Sequence, residues 1–358
     1  MMRNVCAVVC ACLFAPVLMT AQEPAKQPTT AADAATRDTS YIGADGTAHV
    51  TRVVPVPKDL SPEARAFISH QAPDEAPPES LNDRRRRMDA WQVSSRAEWS
   101  KICPTKIEET KLAGVPVHVV IPEGMIPGNR DKVLINLHGG GFNADSGSYS
   151  ESIPIASYTG IKVVAVLYRL APENPFPAGV EDAVAVYKEL LKTYKPDRIA
   201  IYGTSAGATM TAEVAVKLKQ MELPLPAALG IFSGLDTFEQ TGDSFAMYTL
   251  SGLAGHLEPP AGPRVPTYID KTNPKDPVLS PVYADLHGMP PALFITSTRD
   301  ALLSPTTNLH RAYLRAGVDA RLIVFDGLPH AFWYHPEMPE SIEANHFMAD
   351  FFLAHLPK

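Results

Sequence analysis

Three groups of residues in this 358-residue chain have types and spacing suited to acyl transfer. The first is Gly203-Thr204-Ser205-Ala206-Gly207, set between an apolar run ending at Tyr202 and a helical pattern opening at Ala206. Such a pentapeptide arises by chance roughly once in ten chains of this length, so its placement carries the weight. A serine on a sharp strand-to-helix turn needs small neighbours, because the backbone is strained and passes close to adjacent segments. The turn lifts the hydroxyl above a sheet and aims a helix N-terminus at developing negative charge. A plain glycine turn is the alternative reading of these five residues taken alone.

The second group is His138-Gly139-Gly140-Gly141-Phe142, directly after the apolar stretch Lys132 to Leu137. Acyl transfer builds an oxyanion that needs N–H donors fixed in advance at about 2.7–3.1 Å, and side chains there would block the approach. Gly140 and Gly141, with the N–H of Ala206, are the expected oxyanion donors; Gly139 is expected only to shape the loop. No Lys-Ser/Thr follows the glycines, which counts against a nucleotide loop. His138 is expected to orient this loop and to take no part in proton transfer.

The third group is a base and its orienting acid. With the nucleophile on a strand-to-helix turn, the carboxylate comes next in the chain and the histidine last. Seven histidines follow Ser205. His256 falls in an irregular stretch, His346 and His355 in the last helix, and His287 and His310 away from strand ends. His330 follows the strand Arg321–Phe325 through Asp326-Gly327-Leu328-Pro329, while a Trp-Tyr pair separates His335 from that turn. His330 is therefore the expected base. Asp300, after the strand Pro291–Thr296, is the expected acid, ahead of Asp276, which precedes that strand, and Asp326, one strand late.

Elements able to position these groups are readable from hydrophobic periodicity. A helical pattern covers Ser61 to about Trp99, and Lys106–Thr110 with Val115–Ile121 reads as a hairpin around Ala113-Gly114. Continuous apolar strands then alternate with helices. Strands are expected at Ile161–Tyr168, Arg198–Tyr202 and Ala227–Phe232, and helices at Ala178–Leu191, Ala206–Lys219, Pro305–Ala316 (Ser304 as N-cap) and Pro339–Leu356. That alternation means an α/β fold with a mostly parallel sheet covered by helices on both faces. The alternation stops between Leu235 and Asp276, where Phe245, Met247, Tyr248, Leu250, Leu253 and Tyr268 lie among glycines and prolines. Together with the N-terminal helices this stretch is expected to fold over the strand ends as a cap, with an ordered surface loop as the alternative reading.

The resulting division is a signal peptide at 1–21, a flexible lead-in at 22–48, N-terminal cap helices at 49–104, core at 105–235, a cap insertion at 236–275 and core again at 276–358. The signal peptide rests on Arg3, the apolar run Val5 to Leu18 and Thr20-Ala21 before Gln22, and implies a periplasmic or secreted protein. That run is shorter than a spanning helix and contains Pro16, so no stable membrane insertion is expected. Cys6, Cys10 and Cys12 leave with it, and the single remaining Cys103 cannot form an internal disulfide. Net charge is −7 with no broad basic face, which excludes nucleic acid as a partner. The run Arg84 to Arg87, between Asp83 and Asp89, is expected to be a solvated helix face. No His/Cys/Asp cluster has metal-ligand spacing.

From Val115 to the C-terminus the chain resembles the bacterial hormone-sensitive-lipase-like esterases of the α/β-hydrolase fold. The resemblance rests on His138 to Phe142, on Tyr168-Arg169-Leu170-Ala171-Pro172-Glu173 with Pro175-Phe176-Pro177 and Asp182, on Gly203 to Gly207, and on Asp276-Pro277 with Ser280-Pro281. It implies hydrolysis of short to medium acyl esters, an N-terminal helical cap, no cofactor, and a triad matching Ser205, Asp300 and His330. Thr204 stands where many members carry Asp, as in the GTSAG subgroup. The context Thr298-Arg299-Asp300-Ala301-Leu302-Leu303, with Gly317-Val318 and Pro329-His330, is similar to monoterpene-lactone hydrolases, so the resemblance implies an ester or lactone substrate. A homodimer is an assembly the sequence permits.

In the implied mechanism His330 takes the Ser205 proton, Asp300 holds the imidazole tautomer, and an acyl-enzyme forms and is hydrolysed. A peptidase using the same residues, or a binding protein on the same fold, are the competing classes. The complete residue set speaks against the second and the resemblance against the first.

Overall fold

The computed structural model describes residues 40–50, 53–69, 79–239, 242–250 and 266–357. The signal-peptide segment 1–21 and most of the lead-in lie outside these residues. The chain divides into two units, Met1–Pro55 and Val56–Lys358. In the first, Tyr41–Ile42 (β1) and Ala48–His49 (β2) pair antiparallel, with Asp45 accepting from the Thr47 amide at 3.0 Å. That end of the stretch read as a flexible lead-in is therefore a hairpin.

The second unit is built on an eight-stranded sheet. Its strands are β3 (Thr105–Leu112), β4 (Val115–Pro122), β5 (Val133–Leu137), β6 (Lys162–Val166), β7 (Ile199–Thr204), β8 (Ala228–Phe232), β9 (Ala292–Ser297) and β10 (Ala320–Phe325). Their spatial order is β10-β9-β8-β7-β5-β6-β4-β3. The six strands from β10 to β6 run parallel, and β4 and β3 extend one edge antiparallel. Every residue of β5, β7, β8 and β9 is buried, the reason these strands read as unbroken apolar runs without alternation.

Helices cover both faces. Leu81–Trp99 (α2) starts on Ser80, whose side chain accepts from the Asp83 amide. Pro62–Ser69 (α1) starts on Ser61, whose hydroxyl accepts from the Ala64 amide while Glu340 accepts from the Ser61 amide. The helical pattern expected over 61–99 is thus carried by two helices among the described residues. Their buried side chains include Ala64, Gln92 and Trp99, the last donating its indole N–H to the Tyr334 carbonyl at 3.1 Å. Next come α3 (Ser152–Thr159), α4 (Ala178–Leu190), α5 (Ala206–Gln220), α6 (Asp243–Met247), α7 (Pro266–Ile269), α8 (Leu303–Arg315) and α9 (Pro339–His355). Two apolar clusters result: Ile135, Ile201 and Ile231 pack toward α4 and α5, and Leu134, Tyr202 and Phe232 toward α3 and α9. Each fully buried aliphatic chain contributes about 1.5–3 kcal/mol.

Two local expectations need correction. α8 begins at Leu303, with Leu302 and not Ser304 at its N-cap, because the Ser304 hydroxyl is taken by the Ser244 amide at 3.1 Å. And Arg84 and Arg85 are not a solvated face. Arg85 donates to the Asn143 and Ala171 carbonyls and grips Glu173 with both terminal nitrogens, while Arg84 Nε donates to the Asn143 side chain. Only Arg86 and Arg87 stay on the surface, paired with Asp83 and Glu79.

Of the irregular stretch 236–275, α6 is placed by Ser244, whose hydroxyl donates to the Ala301 carbonyl at 2.6 Å. Phe245 and Tyr248 are buried and Met247 and Leu250 are exposed, whereas Leu253 and His256 fall outside the described residues.

Candidate active site

The parallel strands end on one side of the sheet, where ligand sites of open α/β sheets form. Five of those ends carry the candidate residues: β5 runs into His138, β7 into Ser205, β8 into Ser233, β9 into the Asp300 turn and β10 into the His330 loop.

Ser205 adopts φ 61°, ψ −121°, outside the regions open to an L-residue at low cost. Its amide donates to the Phe232 carbonyl at 3.0 Å, and its carbonyl accepts from Thr209 in the first turn of α5. Gly207 is required because a Cβ there would collide with the Leu137 carbonyl and sit 2.8 Å from that of His138. The nucleophile turn thus lies directly on the strand that leads into the glycine loop.

In that loop Gly140 has φ +116°, and a Cβ on it would strike the Ala144 carbonyl. The Gly139 amide is occupied, donating to Glu151 Oε1 at 3.0 Å. Gly140 and Gly141 donate to no acceptor among the described residues. His138 is buried, its Nδ1 2.8 Å from the Gly139 carbonyl and its ring stacked on Tyr168 at 4.1 Å; the Tyr168 hydroxyl donates to the His138 carbonyl at 2.7 Å. Phe142, also at positive φ, stacks on Tyr268 at 3.7 Å, and Phe238 lies 6.0 Å from it, so an aromatic wall stands beside the glycines. The Tyr268 hydroxyl donates to buried Glu213 at 2.6 Å, where burial holds the carboxyl well above its ordinary range.

His330 Nδ1 is 3.0 Å from Asp300 Oδ1 and 3.2 Å from Ser233 Oγ. The carboxylate side requires the proton on Nδ1, leaving Nε2 as the basic nitrogen. Asp300 is fully buried, and its Oδ1 also accepts from the Leu302 amide at 2.7 Å while Ser233 and Thr296 hydroxyls donate to Oδ2. Burial alone would raise its pKa. The facing His330, the hydrogen bonds from His330 and Ser233 and the Leu302 amide together hold it below the usual carboxylate value.

No hydrogen bond joins Ser205 to His330. They are tied to a common strand end, since Ser205 bonds the Phe232 carbonyl and the next residue, Ser233, lies against the imidazole. The His330 loop is fixed on the other side by Trp333, whose Nε1 donates to Thr204 Oγ1 at 3.1 Å. Ser205, Ser233, Phe142 and Ala331 all have positive φ, so backbone strain gathers around these strand ends.

The other carboxylates are engaged elsewhere. Asp276 accepts from the Val278 and Leu279 amides of its own turn, and exposed Asp326 from Thr298. Cavities of about 370 and 420 Å³ border the glycine loop through Asp145 and His138, and none of Ser205, Asp300 or His330 lines them. Two participants escaped the sequence reading: Ser233, whose position directly after an apolar strand was the available signal, and Glu151, which had none.

Residues 134–334 match the family model described as alpha/beta hydrolase fold. An acetyl-hydrolase of Streptomyces hygroscopicus is 33% identical over 247 residues, 64% of this chain and 81% of that protein. An esterase of Acinetobacter venetianus is 26% identical over 69% of this chain and 81% of its own length. Among solved structures, esterase E25 superposes with a TM-score of 0.75 at 32% identity, covering 86% of this chain and 98% of that one. An esterase from the bacterial hormone-sensitive lipase family gives 0.71 at 32% identity, over 83% and 99%. The chain belongs to the α/β-hydrolase-fold family, among its hormone-sensitive-lipase-like bacterial esterases, and is a hydrolase.

Proposed function

We propose that the protein cleaves small carboxylic esters of short to medium acyl chains through a Ser205–His330–Asp300 triad and an acyl-enzyme. The observation that carries this reading is the buried Asp300 at 3.0 Å from His330 Nδ1, on the same strand end that holds the strained Ser205 turn. His330 Nε2 removes the Ser205 proton as Oγ attacks the ester carbonyl. Asp300 keeps Nδ1 protonated and stabilises the imidazolium. The N–H groups of Gly140, Gly141 and Ala206, which have no intramolecular acceptor among the described residues, receive the oxyanion. His330 then returns its proton to the leaving alcohol, and a water activated by the same nitrogen releases the acid.

The names of the relatives support the acetyl end of the chain-length range. The aromatic wall of Phe142, Phe238 and Tyr268 supplies an apolar surface beside the oxyanion loop for the acyl group. Lactones fit the same chemistry, and their candidacy rests on the sequence Thr298–Leu303 with Gly317-Val318 and Pro329-His330. Export by the segment Arg3–Ala21 completes the reading, and N-terminal sequencing of protein from its native host should begin near Gln22. The deciding experiment is kcat/KM for p-nitrophenyl acetate through octanoate and for a lactone panel, with Ser205→Ala as control. Highest activity at acetate to hexanoate, lost by about 10⁴-fold or more in the variant, is expected. Hydrolysis surviving in Ser205→Ala would remove the triad.

A further inference from the structure

Glu151 lies in the turn before α3, in a sequence context that marks it for nothing, and is buried. Four donors converge on it. Oε1 accepts from the Tyr334 hydroxyl at 2.7 Å and the Gly139 amide at 3.0 Å; Oε2 accepts from Asn136 Nδ2 at 2.8 Å and the Thr204 amide at 3.2 Å. Three belong to the segments that carry the chemistry: Gly139 opens the oxyanion loop, Thr204 precedes the nucleophile, and Tyr334 follows His330 by one turn. Space is reserved for the group, since a Cβ on Gly147 would overlap Oε1.

We propose that Glu151 is a positioning residue whose carboxylate sets the oxyanion loop against the nucleophile strand and the histidine-bearing segment. This rests on the reading in which Gly140, Gly141 and Ala206 hold the oxyanion. The geometry is specific for a carboxylate. Both oxygens face donors, so an amide of the same size turns its NH₂ against another donor in either orientation. Oxyanion donors work only when they are fixed in advance at the position the charge will occupy. Glu151 touches neither substrate nor Ser205 Oγ. It acts by fixing where the Gly140 and Gly141 amides stand relative to the turn that presents Oγ. A displacement of a few tenths of an ångström there weakens binding of the transition state and leaves the ground-state ester nearly unaffected, because the ester's neutral carbonyl gains little from those amides.

The test is steady-state hydrolysis of p-nitrophenyl butyrate by Glu151→Gln and Tyr334→Phe, with inhibition by an alkyl trifluoromethyl ketone, whose serine adduct carries an oxyanion. Glu151→Gln is expected to lower kcat by about 10²–10³-fold, the scale of losing an oxyanion donor, with KM within about threefold and the ketone weakened in parallel with kcat. Tyr334→Phe removes one donor and keeps the charge, and is expected to lower kcat by about tenfold. A folded Glu151→Gln enzyme with kcat within threefold of the parent, or a loss carried by KM with the ketone unaffected, overturns the proposal. Where Glu151→Gln fails to fold, Tyr334→Phe decides, and an unchanged kcat and ketone affinity there overturns it equally. Ser205→Ala run alongside separates the two claims: activity lost in Ser205→Ala but kept in Glu151→Gln refutes the role of Glu151 alone.

Discussion

Replacing Asp300 by Asn isolates what the buried carboxylate does. Oδ1 accepts from His330 Nδ1 and the Leu302 amide, and Oδ2 meets only the hydroxyls of Ser233 and Thr296. A hydroxyl can turn from donor to acceptor, so the new NH₂ has a natural place on the Oδ2 side while the carbonyl keeps the Oδ1 partners. The imidazole tautomer is then retained and only the charge is lost. A carboxylate and an imidazolium with centres ~4 Å apart interact by about 4 kcal/mol at an effective dielectric near 20. That corresponds to about 10³-fold in kcat, short of the roughly 10⁴-fold reported for triads in which the amide imposes the wrong tautomer. The assay is kcat for p-nitrophenyl butyrate at pH 8, with circular dichroism to confirm the fold. A variant within tenfold of the parent, or a larger loss in Asp276→Asn or Asp326→Asn, would refute the assignment of the acid. Stability adds a second handle. The folded carboxyl is held below its unfolded value, so its contribution is present above about pH 4 and disappears as pH falls through the lower folded value. The Asn variant should lack that acid-side loss.

Three further outcomes follow from the same geometry. Ser233→Ala removes a donor to the Asp300 carboxylate and should cost about 10- to 100-fold in kcat with the fold intact, measured by the same assay; a variant equal to the parent would make Ser233 incidental. Burial raises the Glu151 carboxyl from 4.5 to about 7, with Asp145 pushing it the same way and the donors Tyr334, Gly139 and Asn136 opposing. The pKa is raised, so this group favours the fold below about pH 4.5 and that contribution is lost as pH rises through 7, by about 3 kcal/mol. The urea stability of the parent should therefore fall more between pH 4.5 and 8 than that of Glu151→Gln, and parallel curves would contradict the burial argument. Gly207→Ala drives a methyl into the Leu137 carbonyl and should destabilise by about 3 kcal/mol, read as a lowered melting temperature; an unchanged one would mean the strand and the nucleophile turn are not in contact.

How far the sequence reached depended on whether a feature was local. β5, β7, β8 and β9 are buried on both faces, so their residues are mainly apolar, with Asn136, Thr204, Thr296 and Ser297 as the polar exceptions, and their ends could be located to within a residue or two. Locating the ends placed Ser205, Asp300 and His330 at loops on one side of a parallel sheet. The different role expected of Gly139 has its physical cause in a partner the local sequence does not mark, Glu151, twelve residues on. Ser233 and Glu151 act across separations of 67 and 183 residues, to Asp300 and Tyr334, which no periodicity encodes. The arginine run was misread for the same reason. Four consecutive cations look solvated until the fold brings Asn143 and Glu173 against two of them. Ser304 had the composition of an N-cap, but Ser244 claimed its hydroxyl.

The central claim is that Ser205 is the nucleophile, and covalent labelling tests it without reference to substrate preference. The intact enzyme is incubated with an alkyl fluorophosphonate, residual p-nitrophenyl butyrate activity is followed, and the adduct is located by fragmentation of the tryptic peptide 199–217. Activity should fall in step with incorporation of one phosphonyl group, and fragment masses should assign it to Ser205 and not to Thr204, Thr209 or Thr211. Full labelling of another residue, or full activity with Ser205 labelled, would contradict the account.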